Sequence, residues 1–285
     1  MNSGKWKVKN FGGTLTRGII GGLIMAKKLG LVLGSGGARG VAHVGFVKAL
    51  EEAGIKPDCI SGSSAGSIVG ACMAMGMPAD RMMEEIRGLK ASEVLYGVPN
   101  FSRSGLFSTR GIHRKLNSFF KRKRIYDLNI DFACVATNLA TGKEKVFTGR
   151  SFVVPSVVAS SCIPALFEPE VIGGVQYIDG GVVSRLPIDA IRRFEPEVIV
   201  AVDVFAESSE TQTFPNALSV LSRAIDIMDR NYTKAKTKED NPDLLVLPDL
   251  GNMSQYTFKD LDFAFEQGYK AGKESVEEIR RLIGE

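Results

Sequence analysis

The chain has 285 residues, of which 44% are hydrophobic and 24% charged, with a formal net charge of +4 at pH 7. This composition is typical of a folded globular protein and argues against a disordered chain or a disulfide scaffold. With only 2 histidines, and 4 cysteines in no C-x-x-C pair, we expect neither a metal site nor a cofactor. The cysteines stand among apolar neighbours, which favours buried, reduced thiols in a cytoplasmic protein.

Short apolar runs alternate with helical patterns along the chain. Leu29–Leu33 ends in glycines, as buried parallel strands often do, and a helical pattern follows over residues 41–53. A second strand ends at residues 60–61, before a helix of small residues at 67–75. Further strand patterns lie at residues 132–137, 145–148, 198–204 and 244–247. Leu218, Leu221, Ile225 and Met228 recur at helical spacing, and a final amphipathic helix covers residues 261–283.

This alternation predicts an α/β fold with a central, mainly parallel sheet. Residues 1–50 hold eight basic residues and no acidic one. We expect residues 1–24 to form a basic N-terminal extension, disordered or weakly bound to a surface. Residues 25–285 are expected to form a single domain, because no linker or repeat interrupts them.

Residues 110–124 are a second basic segment, with seven basic residues and no acidic one. Ile112, Leu116, Phe119 and Phe120 recur there at helical spacing. The pattern indicates an interfacial amphipathic helix in peripheral contact with an anionic membrane, although a solvated face is the alternative. No apolar stretch near the N-terminus reaches the 20 or so residues that span a bilayer. Without a nucleic-acid-binding motif or an aromatic stacking platform, we expect no nucleic-acid partner.

The first strand leads into the glycine-rich loop Gly34-Ser35-Gly36-Gly37-Ala38-Arg39-Gly40. Arg39 occupies the third glycine position of the dinucleotide-binding pattern G-x-G-x-x-G, and the loop also lacks the Lys-Ser/Thr of a P-loop. What remains is a turn whose backbone N–H groups, at a helix N-terminus, suit a phosphate or a transient oxyanion. For this loop alone, a turn without chemistry is the preferred interpretation.

The second motif, Gly62-Ser63-Ser64-Ala65-Gly66, fits G-x-S-x-G between a strand and a helix. Small flanking residues permit the sharp elbow that exposes a nucleophilic serine at a helix N-terminus. Because both motifs follow strands of one parallel sheet, we expect them at the same edge of that sheet. Ser64 is the candidate nucleophile.

A nucleophilic serine needs a base, and three residues are candidates. His43 lies one turn past the glycine loop, where a structural role is the preferred interpretation, and His113 lies in the basic segment and is interpreted as a surface residue. Asp179 ends a strand and is followed by Gly180 and Gly181. An aspartate base requires either a raised pKa or a serine that the helix dipole has already polarised.

The three motifs, in this order and at these spacings, resemble the patatin-like phospholipase family from about Leu29 to Ala201. The resemblance implies a three-layer α/β/α fold and a catalytic dyad of Ser64 as nucleophile and Asp179 as base. It also implies an oxyanion hole formed by Gly36, Gly37, Ala38 and Arg39. The supporting motif glycines are Gly34, Gly40, Gly62, Gly66, Gly180 and Gly181.

The function implied by the resemblance is that of a serine lipid acyl hydrolase, a phospholipase A or lysophospholipase-like esterase acting on lipid or lysophospholipid. A transacylase and a catalytically silent lipid- or protein-binding module on the same fold are the alternatives. Five methionines near the elbow helix are candidates for the wall of an acyl slot, although such methionines more often belong to the core: Met73, Met75, Met77, Met82 and Met83. The sequence indicates neither head-group and chain-length preference nor oligomeric state.

Overall fold

A computed structural model describes residues 26–94, 104–205, 213, 217–255 and 258–285. The predicted extension over residues 1–24 lies outside the described residues. The side chains of Leu218, Leu221 and Ile225 also lie outside this description, although the helix predicted from their spacing is present.

Strands and helices alternate through most of the described chain, as the sequence predicted. The strands are β1 Leu29–Leu33, β2 Cys59–Ser63, β3 Asp131–Asn138, β4 Glu144–Phe147, β5 Glu170–Ile172, β6 Val175–Asp179, β7 Val198–Val202 and β8 Leu244–Val246. The helices are α1 Val41–Glu52, α2 Ala65–Met75, α3 Ala79–Arg87, α4 Ala91–Val94, α5 Arg110–Phe120, α6 Val153–Ser160, α7 Ile188–Arg192, α8 Ala217–Asp240 and α9 Leu261–Ile283.

These strands form one mixed sheet in the order β5-β6-β3-β2-β1-β7-β8, with β4 paired to β3 outside this path. Five neighbouring strands of this sheet run parallel to one another, namely β3, β2, β1, β7 and β8. In contrast, β4 and β6 are antiparallel to β3, and β5 is antiparallel to β6. The predicted mainly parallel sheet is therefore confirmed, with an antiparallel margin that the sequence pattern did not show.

Helices cover both faces of the sheet. Leu31 and Leu33 belong to a large apolar cluster that includes residues of α1, α2 and α9, whereas Val32 belongs to a smaller cluster with residues of α7. Because alternate residues of a strand point to opposite faces, the two clusters lie on the two sides of the sheet. The three-layer α/β/α arrangement follows from this alternation.

The predicted amphipathic helix is α5, but its apolar face is not free to enter lipid. Ile112, Leu116 and Phe120 are buried in the larger cluster, with Phe120 fully buried at 0% exposure, and Phe119 is half-buried. The expectation of an interfacial helix is therefore wrong for this face, because the same spacing serves to pack the helix onto the core. The basic residues Lys121, Arg122 and Lys123 beyond its end are exposed.

All four cysteines are free and buried, and burial raises the pKa of Cys59 and of Cys72 to about 12. Met73, Met82 and Met83 also belong to the core. Among the described residues, no helix combines the length and the apolar character needed to cross a bilayer.

Candidate active site

Ser64 lies in a strained turn between β2 and α2. Its backbone φ is 51° and its ψ is −123°, and residues other than glycine rarely adopt such a positive φ. The flanking glycine Gly66 allows the turn to pack, since a Cβ atom there would lie 2.1 Å from the carbonyl oxygen of Leu33 in β1. Ser64 thus has the backbone geometry expected of a nucleophile elbow and stands directly before the first residue of a helix.

Three further serines hold the backbone of Ser64 in place. Its N–H donates to Oγ of Ser160 at 2.9 Å, and its carbonyl oxygen accepts from Oγ of Ser67 at 2.7 Å and from Oγ of Ser161 at 3.3 Å. Ser160 ends α6 and belongs to the segment Ala159-Ser-Ser-Cys-Ile-Pro164. Sequence reasoning gave this residue no role, because its position beside Ser64 arises only when α6 packs against the elbow.

The hydroxyl of Ser64 donates to the carboxylate of Asp179, with 2.6 Å between Oγ and Oδ2. The other carboxylate oxygen, Oδ1, accepts from the backbone N–H of Gly181 at 2.7 Å. Both side chains belong to buried residues, Ser64 at 3% and Asp179 at 5% exposure. The structure therefore brings the predicted pair into direct contact and fixes the carboxylate from both sides.

The register of β3 sets this contact. Ser63 pairs with Val135, and the next residue of β3, Ala136, pairs with Asp179 of β6. Oγ of Thr137 donates to the carbonyl oxygen of Asp179 at 2.8 Å, which holds the end of β6 against β3. β3 therefore pairs both with the strand that precedes Ser64 and with the strand that ends at Asp179, which brings the two residues together.

Burial determines the proton affinity of Asp179. Desolvation raises the pKa of this carboxyl to about 6, although the hydrogen bonds from Ser64 and Gly181 lower it in part. At neutral pH the group is therefore mostly a carboxylate, and it binds a proton more readily than an exposed aspartate does. That combination suits a group that must accept a proton and later release it.

The glycine loop lies beside the elbow. A Cβ atom on Gly40 would be 2.3 Å from Cβ of Ala65, and one on Gly181 would be 2.7 Å from Oγ of Ser35. Each of these pairs joins two different motifs, so a larger side chain at either glycine would force them apart. The three sequence motifs therefore meet at one edge of the sheet, as predicted.

Not all four residues of the expected oxyanion hole offer a backbone donor in this conformation. The N–H of Ala38 donates to the carbonyl oxygen of Gln255 at 2.9 Å, and that of Arg39 donates to the carbonyl of Gly36 at 3.1 Å. The N–H groups of Gly36 and Gly37, in contrast, have no acceptor among the described residues. In this conformation the amides of Gly36 and Gly37 are thus the donors left for an oxyanion, because other carbonyl groups already use those of Ala38 and Arg39.

Neither histidine takes the place of Asp179. His43 is fully buried, donates from Nε2 to the carbonyl oxygen of Gly34 at 2.8 Å, and has its pKa lowered to about 4 by burial. His43 therefore supports the glycine loop, which agrees with the structural role predicted for it. His113 is not the surface residue that was expected, since it is half-buried and donates to Glu170 at 2.9 Å.

A buried ion network flanks the site. Arg185 contacts Asp203 at 3.3 Å and Asp229 of α8 at 2.8 Å, and its side chain is only 2% exposed. Its carbonyl oxygen accepts from the N–H of Ser35 in the glycine loop at 2.8 Å. Sequence reasoning missed this network, because Asp229 lies 44 residues from Arg185 along the chain and no motif links them.

Comparison with known proteins identifies similar sequences. A family model described as patatin-like phospholipase matches residues 31–192. The lysophospholipase NTE1 of Coccidioides immitis is 28% identical over 92% of this chain, and lysophospholipase nte1 of Aspergillus fumigatus is 33% identical over 69% of it. Human patatin-like phospholipase domain-containing protein 6 is 30% identical over 69% of it.

These relatives are much longer proteins, since this chain covers 18%, 13% and 15% of them, respectively. Among solved structures, VipD from Legionella pneumophila has a similar fold, with a TM-score of 0.58 and 15% identity over 90% of this chain and 67% of that one. This likeness concerns the fold alone.

Proposed function

Because this chain belongs to the patatin-like phospholipase family, we propose that it is a serine hydrolase acting on the carboxylic ester bonds of lipids, with Ser64 and Asp179 as its catalytic dyad. The observation that carries the proposal is the 2.6 Å hydrogen bond from Ser64 Oγ to Asp179 Oδ2 at a strained elbow. A silent binding module would have no need for a strained serine or for a buried carboxylate in contact with it.

In the proposed mechanism, Asp179 accepts the proton of Ser64 as Oγ attacks the ester carbonyl. The N–H groups of Gly36 and Gly37 stabilise the negative oxygen of the tetrahedral intermediate. The alcohol then leaves with the proton held by Asp179, and an acyl-serine ester remains. Asp179 next takes a proton from water, whose oxygen attacks the acyl group. As the bond from the acyl carbon to Ser64 Oγ breaks, Asp179 returns this proton to Oγ, so that the fatty acid leaves and both residues are regenerated.

The substrate class follows from the relatives. Two of them are named lysophospholipases and one is named a phospholipase domain-containing protein, so we expect a phospholipid or lysophospholipid as the acyl donor. The four free buried cysteines fit a reducing compartment. We therefore expect a cytoplasmic enzyme that meets its lipid substrate peripherally.

The test combines labelling with turnover. The protein is incubated with a fluorophosphonate probe and with p-nitrophenyl esters of graded chain length, as wild type and as Ser64→Ala, Asp179→Asn and His43→Ala. Ser118→Ala is the matched serine control, because Ser118 is exposed on α5 and donates only to the carbonyl of Lys115. We expect Ser64→Ala to abolish labelling and turnover and Asp179→Asn to abolish turnover, while Ser118→Ala behaves as wild type.

Two results would contradict the proposal. Absence of probe on Ser64 in the folded wild type would favour the silent binding module. Full turnover in Asp179→Asn, together with its loss in His43→Ala, would make a histidine the base. A transacylase would instead show Ser64-dependent transfer of the acyl group to an added alcohol in preference to water.

A further inference from the structure

One side of helix α8 carries polar side chains that contact the rest of the protein. Asp229 accepts from the buried Arg185, and Thr233, 7% exposed, donates to Asp229 at 3.3 Å. One turn further, Lys236 contacts Asp189 at 2.8 Å and Asp240 of the same helix at 2.6 Å. Among the α8 side chains that the structure describes, ion pairs and hydrogen bonds therefore make the contacts with the rest of the protein.

Four apolar side chains of α8 are exposed. Val220 is 54% exposed, Ile227 46%, Met228 71% and Tyr232 52%. At 100° per residue these four side chains fall within an arc of about 140°, which the exposed Asn231 and Lys238 share. We name Val220, Ile227, Met228 and Tyr232 the α8 stripe.

Most surface helices bury their apolar residues and expose the polar ones. The four residues of the α8 stripe are exposed instead, and none of them belongs to the apolar core that the structure describes. Exposed apolar side chains grouped on one surface mark sites that bind another apolar body.

The α8 stripe lies close to the candidate active site. Tyr232 and Val182 line the same cleft of about 460 Å³, together with Arg185. Val182 follows Asp179 by three residues and is itself 49% exposed. A surface that covered the stripe would thus lie beside the segment that carries the catalytic carboxylate.

The basic segment predicted to contact a membrane is less well placed. Oγ1 of Thr148 donates to the carbonyl of Phe132 near the start of β3, and the N–H of Ile125 donates to the carbonyl of Ser151, three residues after Thr148. Residues 121–125 therefore lie near the beginning of β3. Asp179 pairs with Ala136, five residues further along β3. That separation is about 16 Å at 3.3 Å per residue, so a membrane held at residues 121–124 would lie at the sheet edge opposite the dyad.

We propose that the α8 stripe docks the protein on an anionic lipid surface, with the active-site edge facing that surface. The choice of lipid as the partner of this surface rests on the proposed function. Charge complementarity supports the choice, since Lys234 and Lys238 on α8 are exposed and have no ion pair among the described residues. The exposed acid of the helix, Glu239, lies 4.0 Å from Lys236.

The test measures flotation of the full chain with phosphatidylcholine vesicles, with and without phosphatidylglycerol. The α8 variant is Ile227→Gln with Met228→Gln, and both positions are exposed, so the fold should tolerate it. Val171→Gln, at another exposed apolar position (58%), is the matched control. A third variant neutralises Lys121, Arg122 and Lys123 with glutamine.

Lipid binding scales with the apolar area buried, so we expect the α8 variant to reduce partition onto the anionic vesicles at least about tenfold. The Val171 variant should bind like wild type, and the Lys121-Arg122-Lys123 variant should lose much less than the α8 variant. Turnover of a water-soluble short ester should not change in the α8 variant.

Unchanged vesicle binding in the α8 variant, or loss mainly in the Lys121-Arg122-Lys123 variant, would overturn the proposal. A wild-type dimer that the α8 variant abolishes, without vesicle binding by either, would assign the stripe to a second copy of the chain and also overturn it. Absence of Ser64 labelling together with intact, stripe-dependent vesicle binding would reject the proposed function and leave this inference standing.

Discussion

Asp179 combines deep burial with hydrogen bonds to both oxygens, and the two effects act on its pKa in opposite directions. Desolvation is the larger effect, so the pKa rises to about 6. A carboxyl group with this pKa is ionised at neutral pH and still binds a proton far better than an exposed aspartate. The property belongs to the folded chain alone, because the unfolded chain solvates the same group.

The pH dependence of turnover should report this carboxyl. Only the ionised form accepts the proton of Ser64, so kcat/KM for a soluble ester should rise with pH through about 6 and then level off. The measurement is a pH–rate profile of the wild type from acid to weakly alkaline conditions. A rise centred near pH 4, where burial places the pKa of His43, would instead point to that histidine.

The stability of Asp179→Asn should also depend on pH. Since the pKa of Asp179 is raised from 3.8 to about 6 on folding, the folded state binds the proton more tightly, and the wild type loses stability as the pH rises through that window. A neutral asparagine of the same shape avoids the loss. We expect the variant to exceed wild type by about 3 kcal/mol at pH 8.

Below about pH 3 the two proteins should unfold at similar urea concentrations, because the aspartate is then protonated in both the folded and the unfolded state. Urea unfolding at about pH 3 and at pH 8 measures the difference. If the variant and the wild type differed in stability by the same amount at both pH values, Asp179 would not carry a buried charge.

At the scale of single elements, α5 shows how one sequence pattern can serve two environments. The spacing of Ile112, Leu116 and Phe120 predicts the helix correctly. It does not reveal whether the apolar face meets lipid or the protein core, because both environments favour the same side chains. The tertiary packing decides, and here it buries the face.

Adjacent phenylalanines at the end of α5 test this burial. Phe120 is 0% exposed, whereas Phe119 is half-buried, with the Lys115 ammonium 5.4 Å from its ring centre. We expect Phe120→Ala to lower the free energy of unfolding by about 3–5 kcal/mol, and Phe119→Ala to lower it by clearly less. Urea unfolding of both variants gives the comparison, and equal losses would contradict the assigned orientation.

Much of the site could be predicted from the sequence because its parts lie in short motifs. Ser64 and Asp179 stand within such motifs, and local backbone geometry dictates the glycines around them. Ser160 could not be found in this way, nor could the acceptor for the Ala38 amide, since each depends on a tertiary contact. The fold followed similarly from strand and helix periodicity, whereas the antiparallel margin of β4, β5 and β6 did not.

At the scale of the whole molecule, Arg185 joins segments that are distant in sequence. Its guanidinium contacts Asp203 after β7 and Asp229 of α8, and its carbonyl accepts from the glycine loop. The guanidinium groups of Arg39 and Arg230 lie 5.5 and 4.9 Å from the centre of the Phe205 ring, and that of Arg185 lies 5.2 Å from it. The network therefore links α8 to the edge of the sheet that carries the site.

Removing Arg185 should be costly. Arg185→Met leaves two largely buried carboxylates without their counterion, so we expect a loss of about 3–5 kcal/mol in the free energy of unfolding. Adding Asp229→Asn to this variant should recover part of the lost free energy of unfolding. The matched control is Arg87→Met, whose ion pair with Asp262 joins side chains 59% and 73% exposed, and it should cost less than about 1 kcal/mol. Equal losses in urea unfolding would contradict a structural role for the network.

The pairing of β3 with both β2 and β6 has a consequence for how the chain acquires its reactive serine. Ser64 and Asp179 are 115 residues apart in sequence, and closing so long a loop is slow and entropically costly. They meet only when β3 has found its register with both neighbours, since a slip of one residue turns every side chain to the other face. During synthesis and refolding the proposed dyad is therefore incomplete until β2, β3 and β6 have paired.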